Sequence, residues 1–221
     1  MALYREQGIV LRTYKLGETD RIVNLLTQGR GKVRAVATGV RRTGSKFGGR
    51  LEPFSHVDLQ LYEGRNLGII SQAELITPFD EVRNDFALSA CGSAMVEAAD
   101  RIAQEDERSN QLVLLLRDGL RALAGHPQHP STVLDGYLLR LASVAGYHPY
   151  LDACASCGAP GRHQVFHLAA GGVLCPVCAP TGSHTFDPQV MTLLSSLASA
   201  TCGGWTLPAL NLASGELRGR W

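Results

Sequence analysis

The stretch GIVLRTYKLGETDRIVNLLTQGRGKVRAVAT, residues 8–38, decides the fold. It opens with two apolar runs, GIVLRTY (8–14) and DRIVNLLT (20–27), and then makes the turn Gln28-Gly29-Arg30-Gly31. The run that follows alternates, with Val33, Ala35 and Ala37 on one face and Lys32, Arg34 and Val36 on the other. A period of two marks a half-buried strand. HVDLQLY (56–62) repeats it through Val57, Leu59 and Leu61, and the turn Glu63-Gly64-Arg65-Asn66 leads into LGIISQAEL (67–75). Five strands joined by glycine-rich turns fit a small antiparallel barrel of the OB type. Other five-stranded barrels share the pattern.

After residue 80 the period becomes helical. Val82, Phe86, Ala90, Ala94, Ala98 and Ile102 recur every four residues, and Leu112, Leu116, Leu120 and Leu123 mark a second helix. GHPQHPST (125–132) breaks the chain, and Ser131 or Thr132 is expected to cap the next helix. Leu134, Tyr137, Leu138, Leu141 and Ala145 form its apolar face, and Gly146 and Pro149 stop it. A last helix is expected over 187–201, with Val190, Leu193, Leu194 and Leu197 inward. The expected class is multidomain α+β. An N-terminal OB-fold β-barrel (1–80) precedes a central α-helical bundle (81–149) and a zinc-binding four-cysteine segment (150–186). A C-terminal helix and tail (187–221) are expected to pack on the bundle.

Cys154, Cys157, Cys175 and Cys178 form two Cys-x-x-Cys pairs separated by 17 residues. That is the spacing of a four-thiolate zinc site, closed to substrate and therefore structural. Redox dithiols or free thiols are the alternatives. His163, His167 and His184 are read as surface residues, and Cys91 and Cys202 as core ones.

Net charge is only +1, but the seven cations between Arg30 and Arg50 have no carboxylate among them. Four stand in GVRRTGSKFGGR (39–50), with four glycines. The segment nearly spells a phosphate loop. However, Ser45-Lys46 reverses the required Lys-Ser/Thr order, and Gly48, Gly49 and Pro53 deny the helix that should follow. The better reading is a flexible nucleic-acid arm beside a barrel. Arg41, Arg42, Lys46 and Arg50 neutralise phosphate, Phe47 stacks on a base, and Arg30, Lys32 and Arg34 extend the track. An ordinary solvated loop is the plainer alternative. No signal peptide begins the chain, and no run reaches the length of a membrane span. The chain carries no catalytic motif, so a binding protein is expected rather than an enzyme.

Taken together and in order, GIVLRTYKLGETDRIVNLLT, GVRRTGSKFGGRLEPF, LYEGRNLGIISQAEL and GYHPYLDACASCG…GGVLCPVC resemble the RecO family of bacterial recombination mediators. The resemblance implies a cytoplasmic protein, associated with the nucleoid during repair, that binds single- and double-stranded DNA and anneals complementary strands. It implies work with RecR to load RecA onto DNA coated by single-stranded DNA-binding protein, whose tail some members bind. It places DNA contacts on Arg41, Arg42, Lys46 and Arg50, and zinc on Cys154, Cys157, Cys175 and Cys178. Gly44 departs from it, standing where members often carry a further cation. An RNA-binding zinc protein and a protein-only adaptor are the rival readings.

Overall fold

The computed structural model describes residues 2–108, 110–183 and 185–199. The expectations for Cys202, His184 and the tail beyond residue 199 lie outside them. The chain divides after Pro130 into two compact units.

Five strands close a barrel in the first unit: β1 (Leu3–Leu16), β2 (Asp20–Thr27), β3 (Gly31–Ala37), β4 (His56–Tyr62) and β5 (Gly68–Thr77). Their order around the barrel is β1-β2-β3-β5-β4, and β4 closes back onto β1. All pairs are antiparallel except β3 with β5. This is the OB-fold arrangement. Alternation sends Val23, Leu25, Ala35, Ala37, Val57, Leu59 and Leu61 into a common core. β1 begins five residues earlier than the apolar run at Gly8, because its first half pairs with β4 and its second half with β2.

The 38–55 connection closes one end of the barrel. Val40, Phe47 and Leu51 turn inward and join the core. Burial of three apolar side chains holds this glycine-rich segment in place without regular structure beyond one 3-10 turn at Gly48–Leu51.

Helices α1 (Asp80–Asn84), α2 (Phe86–Ile102) and α3 (Asn110–Ala124) follow in the same unit. The Asp85 side chain accepts from the Leu88 N–H and so caps α2. The expected four-residue stripe does not describe α2. Its buried residues are Leu88, Gly92, Met95, Val96 and Ala99, while Phe86 is 92% exposed and Ala90 also faces outward. The helix breaks at the extended Asp85, so Val82 belongs to α1 and the four-residue step that starts there does not carry over into α2. The α3 stripe stands as expected, with Leu112, Leu116, Leu120 and Leu123 all buried.

The second unit holds α4 (Pro130–Val144), a ribbon of β6 (Val165–His167) and β7 (Gly172–Leu174), and α5 (Pro188–Ser199). Helices expected as one bundle are thus shared between the two units. α4 starts at Pro130, so Ser131 and Thr132 lie inside its first turn and neither caps it. It ends in a Schellman turn around Gly146, with Gly146 N–H bonded to the Ser143 carbonyl and Tyr147 N–H to that of Ala142. Its buried face is Val133, Tyr137, Arg140 and Leu141, and Leu138 is exposed. Arg140 Nε donates to the Leu197 carbonyl at 3.1 Å, joining α4 to α5. Among the described residues, no helix is long and apolar enough to cross a membrane.

Candidate nucleic-acid interface and metal centre

The seven cations of residues 30–50 do not form one patch. Arg30 sits in the β2–β3 turn, where its guanidinium lies 3.9 Å from the Tyr4 ring centroid and 3.0 Å from Glu63 Oε1. Lys32 Nζ is 3.0 Å from Asp100 of α2. This end of β3 is also pinned by backbone: Lys32 N–H donates to the Gln104 carbonyl and Asp106 N–H to that of Arg30. Glu63, Asp100 and the backbone of the α2–α3 connection therefore commit Arg30 and Lys32 to the fold. Arg34, two residues on, is exposed.

The arm lies at the opposite end of β3. Asp20 at the start of β2 accepts from the Gly39 N–H and from the Thr19 hydroxyl, both at 2.8 Å, and these bonds hold its carboxyl below the usual range. Arg41 is tied to the β1–β2 turn, its N–H to the Thr19 carbonyl and its guanidinium to that of Glu18 at 2.9 Å. Lys46 Nζ donates to the Ser71 carbonyl of β5 at 2.7 Å. Arg50 Nη1 donates to the Lys46 carbonyl at 2.5 Å. Arg41, Arg42, Lys46 and Arg50 are all exposed, and among the described residues none has an ion-pair partner. By contrast Arg5, Arg12, Arg21, Arg30 and Lys32 each pair with a carboxylate.

Phe47 corrects an expectation. It is 1% exposed and part of the barrel core, with the Lys46 ammonium 4.9 Å from its ring centroid. It offers no face to a base. An apolar ring next to an open barrel end gains more from burial than from solvent exposure. The arm is correspondingly a folded plug, apolar inward and cationic outward.

In the second unit, the Sγ atoms of Cys154, Cys157, Cys175 and Cys178 all lie within 4.8 Å of one another. The segment carrying Cys154 runs beside β7, with Val173 N–H bonded to the Tyr150 carbonyl and Ala155 N–H to that of Val173. That pairing sets Cys154 next to Cys175, which follows β7 directly. Gly158, at φ +72, makes the tight turn after the first pair and donates its N–H to the Cys154 carbonyl. After the second pair, Ala179 N–H closes a turn onto the Cys175 carbonyl without needing positive φ.

Cys157 and Cys175 sulfurs are 3.7 Å apart. Four thiolates at a metal–sulfur distance of about 2.3 Å stand about 3.8 Å apart in a tetrahedron, so the spacing fits. N–H groups of Cys175 and Cys157 point at the Cys154 sulfur and lower its thiol to about 6. The sulfurs of Cys157 and Cys175 push Cys178 up to about 12. Four crowded sulfurs resist losing their last proton unless a cation joins them. The cluster can hold a metal ion. Nearby, His163 Nε2 lies 3.0 Å from the Ala159 carbonyl, and His163 and His167 are both half-buried. Cys91 on α2 is also half-buried.

Two family models match the chain, Recombination protein O N terminal over residues 1–79 and Recombination protein O C terminal over residues 83–208. Several curated relatives bear the name DNA repair protein RecO. One from a Nocardioides species is 52% identical over 210 residues, covering 93% of this chain and 85% of that protein. One from Streptomyces griseus is 49% identical over 213 residues, with the same shares covered. One from Thermobifida fusca is 47% identical over 199 residues, covering 89% of this chain and 82% of its own.

Proposed function

The chain belongs to the RecO family of DNA repair proteins, and from that premise we propose that it is a DNA-binding recombination mediator, not an enzyme. It binds single- and double-stranded DNA through the outer side of the barrel plug and anneals complementary strands. With RecR it helps load RecA onto DNA coated by single-stranded DNA-binding protein, whose tail it also binds.

One observation carries the DNA reading. Among the described residues, the cations of 30–50 that lack an ion-pair partner are Arg34, Arg41, Arg42, Lys46 and Arg50, and four of the five sit on one exposed plug. Phosphates supply the missing partners, and release of their counterions drives association. Neutralising two strands on one surface removes the repulsion between them, so annealing proceeds without a hydrolysed cofactor. The plug's inward residues keep the cations at a fixed place on the barrel. Arg30 and Lys32 contribute less, being held by Glu63 and Asp100.

Zinc is the metal we assign to Cys154, Cys157, Cys175 and Cys178. Four thiolates leave it no open position, so its part is to hold together a ribbon of two three-residue strands.

Salt titration of single-strand binding tests the reading. Each phosphate contact adds about 0.7 to the slope of log affinity on log salt. The double change Arg41→Ala, Arg42→Ala should flatten that slope by about 1.4. An unchanged slope removes the plug as the DNA site.

A further inference from the structure

Strand register draws a second feature around the barrel. Tyr14 on β1 pairs with Ile22 on β2, and Ile22 with Val36 on β3. Val36 pairs with Ile69 on β5, and Ile69 with Tyr62 on β4. Directly paired residues share a face. This face is the outer one, since the alternate residues Val23, Ala35, Ala37, Leu61 and Ile70 fill the core. Tyr14 is 48% exposed, Ile69 37% and Tyr62 39%, while Ile22 and Val36 are half-buried. The result is an apolar row across all five strands, open to solvent and outside the hydrophobic core.

Cations without an ion-pair partner among the described residues bracket this row. One step of two residues along β3, about 7 Å, separates Val36 from Arg34, which is exposed and without an ion-pair partner among the described residues. On the other side, Arg41 reaches the Glu18 carbonyl in the turn just beyond the end of β1. Lys46 is fixed on the Ser71 carbonyl, two residues past Ile69. Of the carboxylates at this edge, Asp20 accepts from Gly39 and Thr19, Glu52 pairs with Arg21, and Glu18 is exposed in the turn. Apolar surface between unpaired cations suits a ligand with flat apolar faces on a repeating anion. A protein partner would need carboxylates at the cation positions on both sides of one narrow strip. Single-stranded nucleic acid carries both elements at every residue. In a duplex the base faces already cover one another, so the row has nothing to take up.

We infer that Tyr14, on the platform it makes with Ile22 and Val36, is a base-stacking residue that favours single strands over duplex. The inference rests on the DNA-binding reading above and supplies the stacking group that buried Phe47 cannot. Stacking and phosphate contact separate experimentally, because only the second depends on salt. Tyr62 lies farther round the row, next to Glu63, away from Arg41.

Three proteins decide the matter: wild type, Tyr14→Leu and Tyr14→Phe. Leucine keeps the apolar area and so protects the fold, but has no ring. Phenylalanine keeps the ring. The probes are a fluorescent thymidine oligonucleotide and a duplex of the same length. Tyr14→Leu should bind the single strand about 5- to 150-fold more weakly. Its salt slope and duplex affinity should match wild type, and Tyr14→Phe should behave as wild type throughout. Equal single-strand affinity in all three proteins overturns the assignment, as does a Tyr14→Phe defect equal to that of leucine, or an equal loss on duplex. Wild type that binds neither probe overturns the DNA reading itself, which is a different failure.

Discussion

The Gly39 N–H donates to Asp20 Oδ1 at 2.8 Å, and so the root of the cationic plug is tied to the first residue of β2. Gly39 has φ +68, and the bond offsets the freedom that glycine brings there. Asp20→Ala removes the acceptor. Amide hydrogen exchange at Gly39 and Arg41 should then quicken at least tenfold relative to the strand core. The Asp20 carboxyl is held below its ordinary value, so its contribution is complete above about pH 4 and is lost as pH falls through the lowered value. Exchange that stays at wild-type rates would show that the plug is held by its apolar residues alone.

Phe47→Ala should act on stability and leave the charge readout alone. A ring that is 1% exposed in a close-packed barrel leaves a cavity when truncated, at a cost of about 3–5 kcal/mol. Chemical denaturation measures this. At temperatures where the variant remains folded, the salt slope for single strands should match wild type, since no cation has been removed. A stable variant with a selective single-strand defect would return Phe47 to the surface role that its position in the sequence suggests.

The contrast between Phe47 and Tyr14 shows what the sequence could and could not tell. Strand period and glycine turns were enough for the barrel, because alternation at Val57, Leu59 and Leu61 maps directly onto one face. Cysteine spacing was enough for the sulfur cluster, since each pair is local and the ribbon joins them. The arm's interior was not legible. Whether an aromatic in a charged loop faces water or core depends on an open barrel end, which exists only after the strands close. Likewise Arg30 and Lys32 read as part of one stripe until the fold brings Glu63 and Asp100 against them. Tyr14 sits at an outward position of β1, but its importance needs the register across β2 and β3 that places Ile22 and Val36 beside it. The buried face of α2 was not legible either, because spacing alone does not say which face meets the barrel.

His56 makes stability depend on pH. It stands at the start of β4, 6% exposed, with Nε2 lacking a hydrogen-bond partner among the described residues. Burial, then the charges of Arg117 and Arg121 on α3, hold its pKa below the ordinary value. The unfolded chain therefore takes up a proton that the folded chain refuses. Stability should be full above about pH 6.5 and decline as pH falls from there toward the lowered value. His56→Leu should remove that part of the decline. Thermal melts at steps from about pH 7.5 to about pH 5, spanning the ordinary histidine range, compare the two proteins. Parallel curves would clear His56 of the effect.

Gly172 links the β6–β7 ribbon to the four-cysteine cluster. A Cβ there would run into the Tyr150 carbonyl oxygen and side chain. Backbone cannot yield without opening the bonds from Tyr150 N–H to the Gly171 carbonyl and from Val173 N–H to the Tyr150 carbonyl. Those bonds hold the segment of Cys154 against the strand that leads to Cys175. Gly172→Ala should therefore draw the two cysteine pairs apart, although every ligand remains present. Zinc affinity, read by competition with a coloured chelator, should fall at least tenfold. Cys175→Ser, which deletes a ligand, sets the scale for a broken site. The salt slope of DNA binding, proposed above for the first unit, should stay as in wild type. Unaltered zinc affinity in Gly172→Ala would mean that the metal, rather than the ribbon, sets the spacing of the sulfurs.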